Sequence, residues 1–286
     1  MAIDTGVEKS EAPSYRRIAV DPLTPTIGAE VSGVDLGSLD DGTWEELKAA
    51  FARHLVLFFR DQDLSPEAQK ALGSRFGPLH VHPAAPTLPG HPEVMIIHAD
   101  ERSKLVAGNG WHTDVSCDEQ PPMVTILRME TVPPAGGDTL FSSMYAAYDA
   151  LSEPMKAFLD PLEAMHESTH VYGGRYGSAE ANSRDGKFPS SSHPVVRTHP
   201  VTGRKALYVN RAFTTRIRGL RPSESRAVLD FLFAHQENPH YQCRFRWAPS
   251  SVAIWDNRCA QHLAVWDYYP SVRHGLRVSV VGERPA

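Results

Sequence analysis

The chain has 286 residues, 41% hydrophobic and 22% charged, with a formal net charge of −5 and a pI near 6.3. No run of five or more Lys/Arg interrupts the mixed charges, which speaks against a nucleic-acid or anionic-membrane surface and for a small-molecule partner. Cys117, Cys243 and Cys259 stand at unrelated spacings, so they give neither a disulfide framework nor a zinc-type pair and suit a reducing cytoplasm; no stretch approaches the roughly 20 apolar residues of a membrane span.

In chain order, residues 1–14 are expected to form a disordered tail and 15–286 a single domain. Strand-like segments recur at 17–20, 29–34, 55–59, 94–98, 124–129, 139–142, 195–198, 206–209, 243–247, 252–255 and 276–281. Helices are expected at 43–53, with Thr43 and Glu46 as a capping box, at 66–76 behind Ser65, more weakly at 144–159, and at 224–236 behind Ser223. Many short strands with inserted helices predict a mainly β domain with covering helices, α+β in class and a sandwich or jelly roll in architecture. Two long loops, 100–110 and the Gly/Ser-rich 172–192, interrupt this pattern, and the second reads as a lid-like insertion.

The segment GWHTDVSC, residues 110–117, places His112 and Asp114 two positions apart. In a strand such residues share a face, so the pair could grip one ion; a polar strand edge with a hydrogen-bonded histidine would look the same. IWDNRCAQH, residues 254–262, runs from an apolar strand through a polar turn to His262. Two histidines and a carboxylate form the facial set that leaves open positions on a non-haem Fe(II), and zinc with a bound water is chemically compatible with the same donors. In RHGLRVSVV, residues 273–281, alternation puts Arg273 and Arg277 on one face. They either lie in water or point inward, where each guanidinium needs an anion. Their Cα atoms would be about 13 Å apart, enough to serve two different anions.

With these residues in view the sequence resembles the taurine dioxygenase group of Fe(II)- and 2-oxoglutarate-dependent dioxygenases, from about Ile18 to Gly282. The resemblance rests on IGAEVSGVDL, RFGPLHVHP, WHTDV, GGDTL, HPVVRTHPVTG, FTTRI, WDNR followed by QH, and the Arg273/Arg277 pair. It implies a double-stranded β-helix with iron held by His112, Asp114 and His262, which carry the catalysis. It further implies that Thr139 and Arg273 anchor the distal carboxylate of 2-oxoglutarate, with O2 as the second co-substrate. Hydroxylation of a carbon bearing a sulfonate would release an aldehyde and sulfite.

For the substrate, the resemblance implies roles for His82, Arg277 and Phe213, with Tyr172 as a further aromatic counterpart and Asn109 displaced by one residue. Asp138 and Asp256 read as turn and network residues, and Trp111 and Trp255 as wall and core. Taurine-specific members of the group carry Tyr, Asn and Phe where this chain has Ala85, Gly108 and Cys117. The expected substrate is therefore a small organic anion: taurine at best weakly, or a bulkier sulfonate, alkyl sulfate or aryloxyalkanoate. A zinc-dependent hydrolase or isomerase and a non-catalytic binding protein on the same barrel are the alternatives. A homo-oligomer with no nucleic-acid or membrane partner is expected.

Overall fold

The computed structural model describes residues 14–82, 85–173 and 188–286. Each expected strand has a counterpart, and the architecture is mainly β with packed helices. A large sheet runs in the order Ala19–Pro22, Ala29–Ser32, Val56–Phe59, Val252–Asp256, Pro122–Thr131, Arg273–Val281, His91–Ala99 and Thr87–Leu88, with Leu79–His80 paired to the end of Arg273–Val281. Its ladders are antiparallel except that between Ala29–Ser32 and Val56–Phe59. A smaller antiparallel sheet places Thr139–Ser143 between Gln242–Phe245 and Ala260–Ala264.

The centre of the large sheet is apolar on both faces because both are covered. Val56–Phe59 is the run VLFF, buried throughout. Leu57 and Phe59, with Val252 and Ile254, pack against Trp44, Leu47 and Phe51 of the helix Asp41–His54. Val56, Phe58, Ala253 and Trp255 belong to the other core, with Phe141 and Phe245 of the small sheet. Phe58 stacks on Phe245 at 4.0 Å between centroids and meets Phe141 edge-on at 5.5 Å, so rings from the two sheets lock together.

Several local expectations need correction. The first helix is capped by Asp40, whose carboxylate accepts the Thr43 N–H at 2.7 Å, while Glu46 accepts the N–H groups of Arg16 and Arg17 instead of closing a capping box. The last long helix begins at Pro222, and the Glu224 carboxylate accepts the Arg221 N–H, so Ser223 lies inside it. The 144–159 stretch is two helices, Met144–Asp149 and Glu153–Leu159; Ser152 caps the second and Pro154 opens it, since proline lacks the N–H needed to continue a helix. Ends of the presumed 172–192 loop are ordered: Thr169–Tyr172 is a short helix and Ser190–Pro194 pairs with Glu163–Glu167. The remainder of that lid expectation, 174–187, and the tail 1–13 lie outside the described residues. Among those described, no helix is long and apolar enough to cross a membrane.

Phe58→Ala should cost about 3–5 kcal/mol in urea unfolding, because the ring is fully buried and joins the large sheet to Phe141 and Phe245 of the small one. Phe158→Ala, at an exposed helix position, should stay within about 0.5 kcal/mol.

Candidate active site

The register of the two sheets decides what faces the interior. On Arg273–Val281, alternation puts Arg273, Gly275, Arg277 and Ser279 on one side. Their ladder partners are Ala99, Ile97 and Met95 for the first three, and Met129, Leu127 and Thr125 for the last three. On the small sheet, Thr139 and Phe141 share a face and lie opposite Ala264 and His262. Thr139, His262, Arg273 and Arg277 all line one cavity of about 480 Å³. Both arginines therefore point inward, which decides between the two readings left open by the sequence. Gly275 between them has no room for a side chain: a Cβ would lie 2.4 Å from the Arg128 carbonyl oxygen.

His112 and Asp114 do not share a regular strand. His112 makes a single-residue bridge with His262, each N–H donating to the other's carbonyl at 3.0 and 2.8 Å, and Asp114 follows in a turn. The bridge holds the two imidazoles with centroids 4.1 Å apart. His112 donates its Nδ1–H to the Gly110 carbonyl at 2.8 Å, which leaves the Nε2 lone pair free toward Asp114. The Nε2 atoms of His112 and His262 lie 3.6 and 3.9 Å from Asp114 Oδ1, too far for hydrogen bonds. Two nitrogens and one carboxylate oxygen within 4.8 Å of one another can share an ion at bond lengths of about 2 Å, so the donor set fits a divalent metal.

Asp114 is 2% exposed. Burial by itself would raise its pKa, but Arg277, then His262 and His112, hold it well below the usual carboxylate range. Arg277 Nη1 donates to Oδ1 at 3.0 Å. The other oxygen is fixed by residues the sequence reading did not single out. Asn257 Nδ2 donates to Thr125 Oγ1 at 2.9 Å, Thr125 in turn donates to Asp114 Oδ2 at 2.8 Å, and Trp255 Nε1 donates to Asn257 Oδ1 at 3.0 Å. Asn257 stood within the WDNR motif, and Thr125 was a hydroxyl between the apolar residues Val124 and Ile126; those were the available signals. Burial, then the neighbouring His112, pushes His262 well below its ordinary pKa, keeping it neutral and able to ligate.

Arg273 is buried at 3% exposure. Its Nε donates to the Gly137 carbonyl at 3.2 Å, while Nη2 is buried without a hydrogen-bond partner. Burial depresses its pKa, so an anion beside it would be strongly favoured. Thr139 Oγ1 accepts the Trp247 indole N–H at 2.9 Å, leaving the Thr139 O–H as a donor. Arg273 and Thr139 thus both have donors available at the cavity. Trp247, which also lies under the Arg273 guanidinium at 5.7 Å, carried no sequence signal.

His82, Tyr172 and Phe213 form an aromatic wall: centroids are 5.7 Å apart for His82 and Tyr172 and 6.0 Å for Tyr172 and Phe213. His82 Nδ1 accepts the Ala85 N–H at 3.0 Å, which places the ring proton on Nε2; burial, then Arg277, drives its pKa down to about 3. Asn109 lines the same cavity from an exposed position. Cys117 is fully buried behind Tyr172 and Phe213 and does not line the cavity, and Gly108 sits against the His112 ring with φ +82°. Asp256 is a network residue, as expected, gripped at both oxygens by Arg258 and met by His199 Nε2 at 3.1 Å.

The sequence matches the family described as "Taurine catabolism dioxygenase TauD, TfdA family" over residues 19–279. It is 38% identical to an alpha-ketoglutarate-dependent sulfonate dioxygenase of Saccharomyces cerevisiae, over 94% of this chain and 68% of that protein. It is 35% identical to an alpha-ketoglutarate-dependent sulfate ester dioxygenase of Pseudomonas putida, over 96% and 93%. The crystal structure of a taurine dioxygenase from Burkholderia xenovorans superposes with a TM-score of 0.82 at 38% identity, covering 95% of this chain and 93% of that one. By sequence and by fold the chain belongs to the TauD/TfdA family of Fe(II)- and 2-oxoglutarate-dependent dioxygenases.

Proposed function

We propose that this dioxygenase hydroxylates a small organic anion larger than taurine, a sulfonate, alkyl sulfate or aryloxyalkanoate. The observation that carries the reading is the pair of inward guanidinium groups flanking the His112, Asp114 and His262 donors, one for each of two anions. The two sheets are read as the halves of a double-stranded β-helix, a reading supported by the way their inward faces enclose one cavity.

When bound, Fe(II) and 2-oxoglutarate supply the oxidising chemistry with O2; the protein binds, orients and shields. His112, Asp114 and His262 would hold the metal. The hydrogen bond from Thr125 to Asp114 Oδ2 leaves Oδ1 as the oxygen turned toward the histidines. Arg273 and Thr139 would take the co-substrate carboxylate, and Arg277 with the Nε2–H of His82 the substrate head group. Tyr172 and Phe213 close the far side and exclude water from the reacting carbon.

Asp114→Ala should abolish turnover and metal binding measured by titration; a folded variant with parental metal affinity would refute the ligand assignment. Thr125→Val removes the donor to Asp114 and should weaken metal affinity about 10–100-fold, while Thr125→Ser should largely restore it. Arg273→Leu should raise the 2-oxoglutarate requirement about ten- to a hundred-fold, the loss of a charge-assisted hydrogen bond, and Arg277→Leu should instead impair use of the anionic substrate. The reverse pattern would exchange the two assignments.

In a panel scored by succinate formation and O2 uptake, with sulfite or sulfate release marking the oxidised carbon, larger anions should exceed taurine in kcat/KM. Taurine outperforming all of them tenfold would defeat the reading of a substrate larger than taurine. Turnover without O2 or 2-oxoglutarate would point to hydrolytic chemistry.

A further inference from the structure

The alternation that turns Arg273 and Arg277 toward the cavity turns His274 to the other face of the large sheet. There it stands directly opposite His98 of the neighbouring strand, His91–Ala99. The two rings meet edge to face with centroids 5.3 Å apart, and their Nδ1 atoms are 3.2 Å apart. The remaining nitrogen of each ring looks toward a carboxylate: His98 Nε2 lies 3.5 Å from Asp100 Oδ2, and His274 Nε2 lies 3.5 Å from Glu130 Oε2. Both carboxylates are held from elsewhere. Arg128 Nη1 donates to the other oxygen of Glu130 at 3.0 Å, and the Arg102 N–H donates to the other oxygen of Asp100 at 2.9 Å. The side chains of His98 and His274 are 44% and 30% exposed, so a solvated ion can reach the gap between them.

We infer that His98 and His274 form an accessory site for a divalent cation of the zinc, nickel or copper kind, bound through both Nδ1 atoms with water completing its shell. A carboxylate facing Nε2 favours the ring proton on that nitrogen, which leaves two Nδ1 lone pairs facing each other. Two acceptors that close need a cation between them. A proton joins them through one N–H···N hydrogen bond, whereas a metal ion takes both lone pairs at once. Two nitrogens bound at about 2.1 Å, at the octahedral or the tetrahedral angle, stand about 3.0–3.4 Å apart, and the observed separation falls in that range. Imidazole pairs select zinc, nickel and copper over magnesium and calcium, which prefer oxygen donors. Each arm repeats the carboxylate–imidazole–metal arrangement that orients ligating histidines, and the pairing of two strands sets the spacing of the arms. The iron donors use the opposite nitrogen: His112 gives its Nδ1–H to the Gly110 carbonyl, and His112 and His262 both turn Nε2 toward Asp114.

The test is a calorimetric titration of the metal-free protein with Zn2+ at neutral pH. The parent should take up one equivalent more than His98→Ala or His274→Ala. Glu130→Gln, which removes the charge behind His274, should weaken that extra equivalent about 10–100-fold. Mg2+ in large excess should leave it in place, since a patch held only by Asp100 and Glu130 would take either ion. Long-range 1H–15N spectra of the imidazole nitrogens read the site in the parent without any substitution: Zn2+ should shift Nδ1 of His98 and His274, whereas at His112 and His262 it should shift Nε2. Equal stoichiometry in the parent and both alanine variants, displacement of the extra equivalent by Mg2+, or Nδ1 signals of His98 and His274 that Zn2+ leaves unmoved would each overturn the site.

Discussion

A carboxylate with 2% exposure, Asp114, sets the terms for everything around it. An ionised acid that deep is costly unless compensated from several directions, and here the compensation is distributed. Arg277 donates to one oxygen and Thr125 to the other, and both donors project from neighbouring strands of the large sheet. Thr125 is oriented by Asn257, Asn257 by Trp255, and Trp255 closes the core beneath. Fixing Asp114 therefore requires three adjacent strands in register and the turn that follows one of them. A one-residue slip on Arg273–Val281 would turn both arginines out of the cavity and place leucine and valine where the anions are expected.

The same register sets the two guanidinium groups of one strand in different surroundings. Arg273 is anchored by the Gly137 carbonyl and lies over the Trp247 ring, whereas Arg277 faces the carboxylate of the donor triad. Gly275 separates them and lets the neighbouring backbone approach, at a point where the ladder with Pro122–Thr131 shifts register. A bulge of this kind increases local twist, and the two guanidinium groups sit on either side of it. Each guanidinium keeps a buried nitrogen without a hydrogen-bond partner, Nη2 of Arg273 and Nε of Arg277, and Arg277 in addition neutralises a fixed acid.

Much of this was legible in the sequence, for identifiable reasons. Strands were marked by β-branched and aromatic runs, and the inward arginines lay on a strand whose alternation could be read, although only its pairing could say which face was wet. The His112, Asp114 and His262 donors were legible as residue types, but the expected strand geometry of His112 and Asp114 was not what joins them; a backbone bridge between residues 150 positions apart does so. Helix caps were misread where two polar candidates stood close together, as with Asp40 and Thr43, because a cap is chosen by backbone geometry. The supports from Thr125 and Asn257 left only faint traces in the sequence and that from Trp247 none, because the partner of a hydrogen bond across strands cannot be read from one segment.

Two three-residue clusters among the described residues carry metal-like donor sets, and they resolve in opposite ways for an electrostatic reason. His199, Asp256 and Cys259 are as close together as His112, Asp114 and His262. At Asp256 both oxygens are taken by Arg258, at 2.9 and 2.7 Å, and His199 adds a third contact. Burial raises the Cys259 thiol well above its usual range, with Asp256 adding to the effect, so no thiolate is on offer. The cluster is a closed ion pair that secures the WDNR turn to the segment around His199. At Asp114, by contrast, one oxygen receives a neutral hydroxyl and the other a single guanidinium contact, with two imidazole nitrogens turned toward it from beyond hydrogen-bonding distance. Adjacent residues in one motif thus divide the work: Asp256 and Arg258 neutralise each other and hold the turn, and Asn257 between them transmits that fixed geometry, through Thr125, to the carboxylate that still has charge to share.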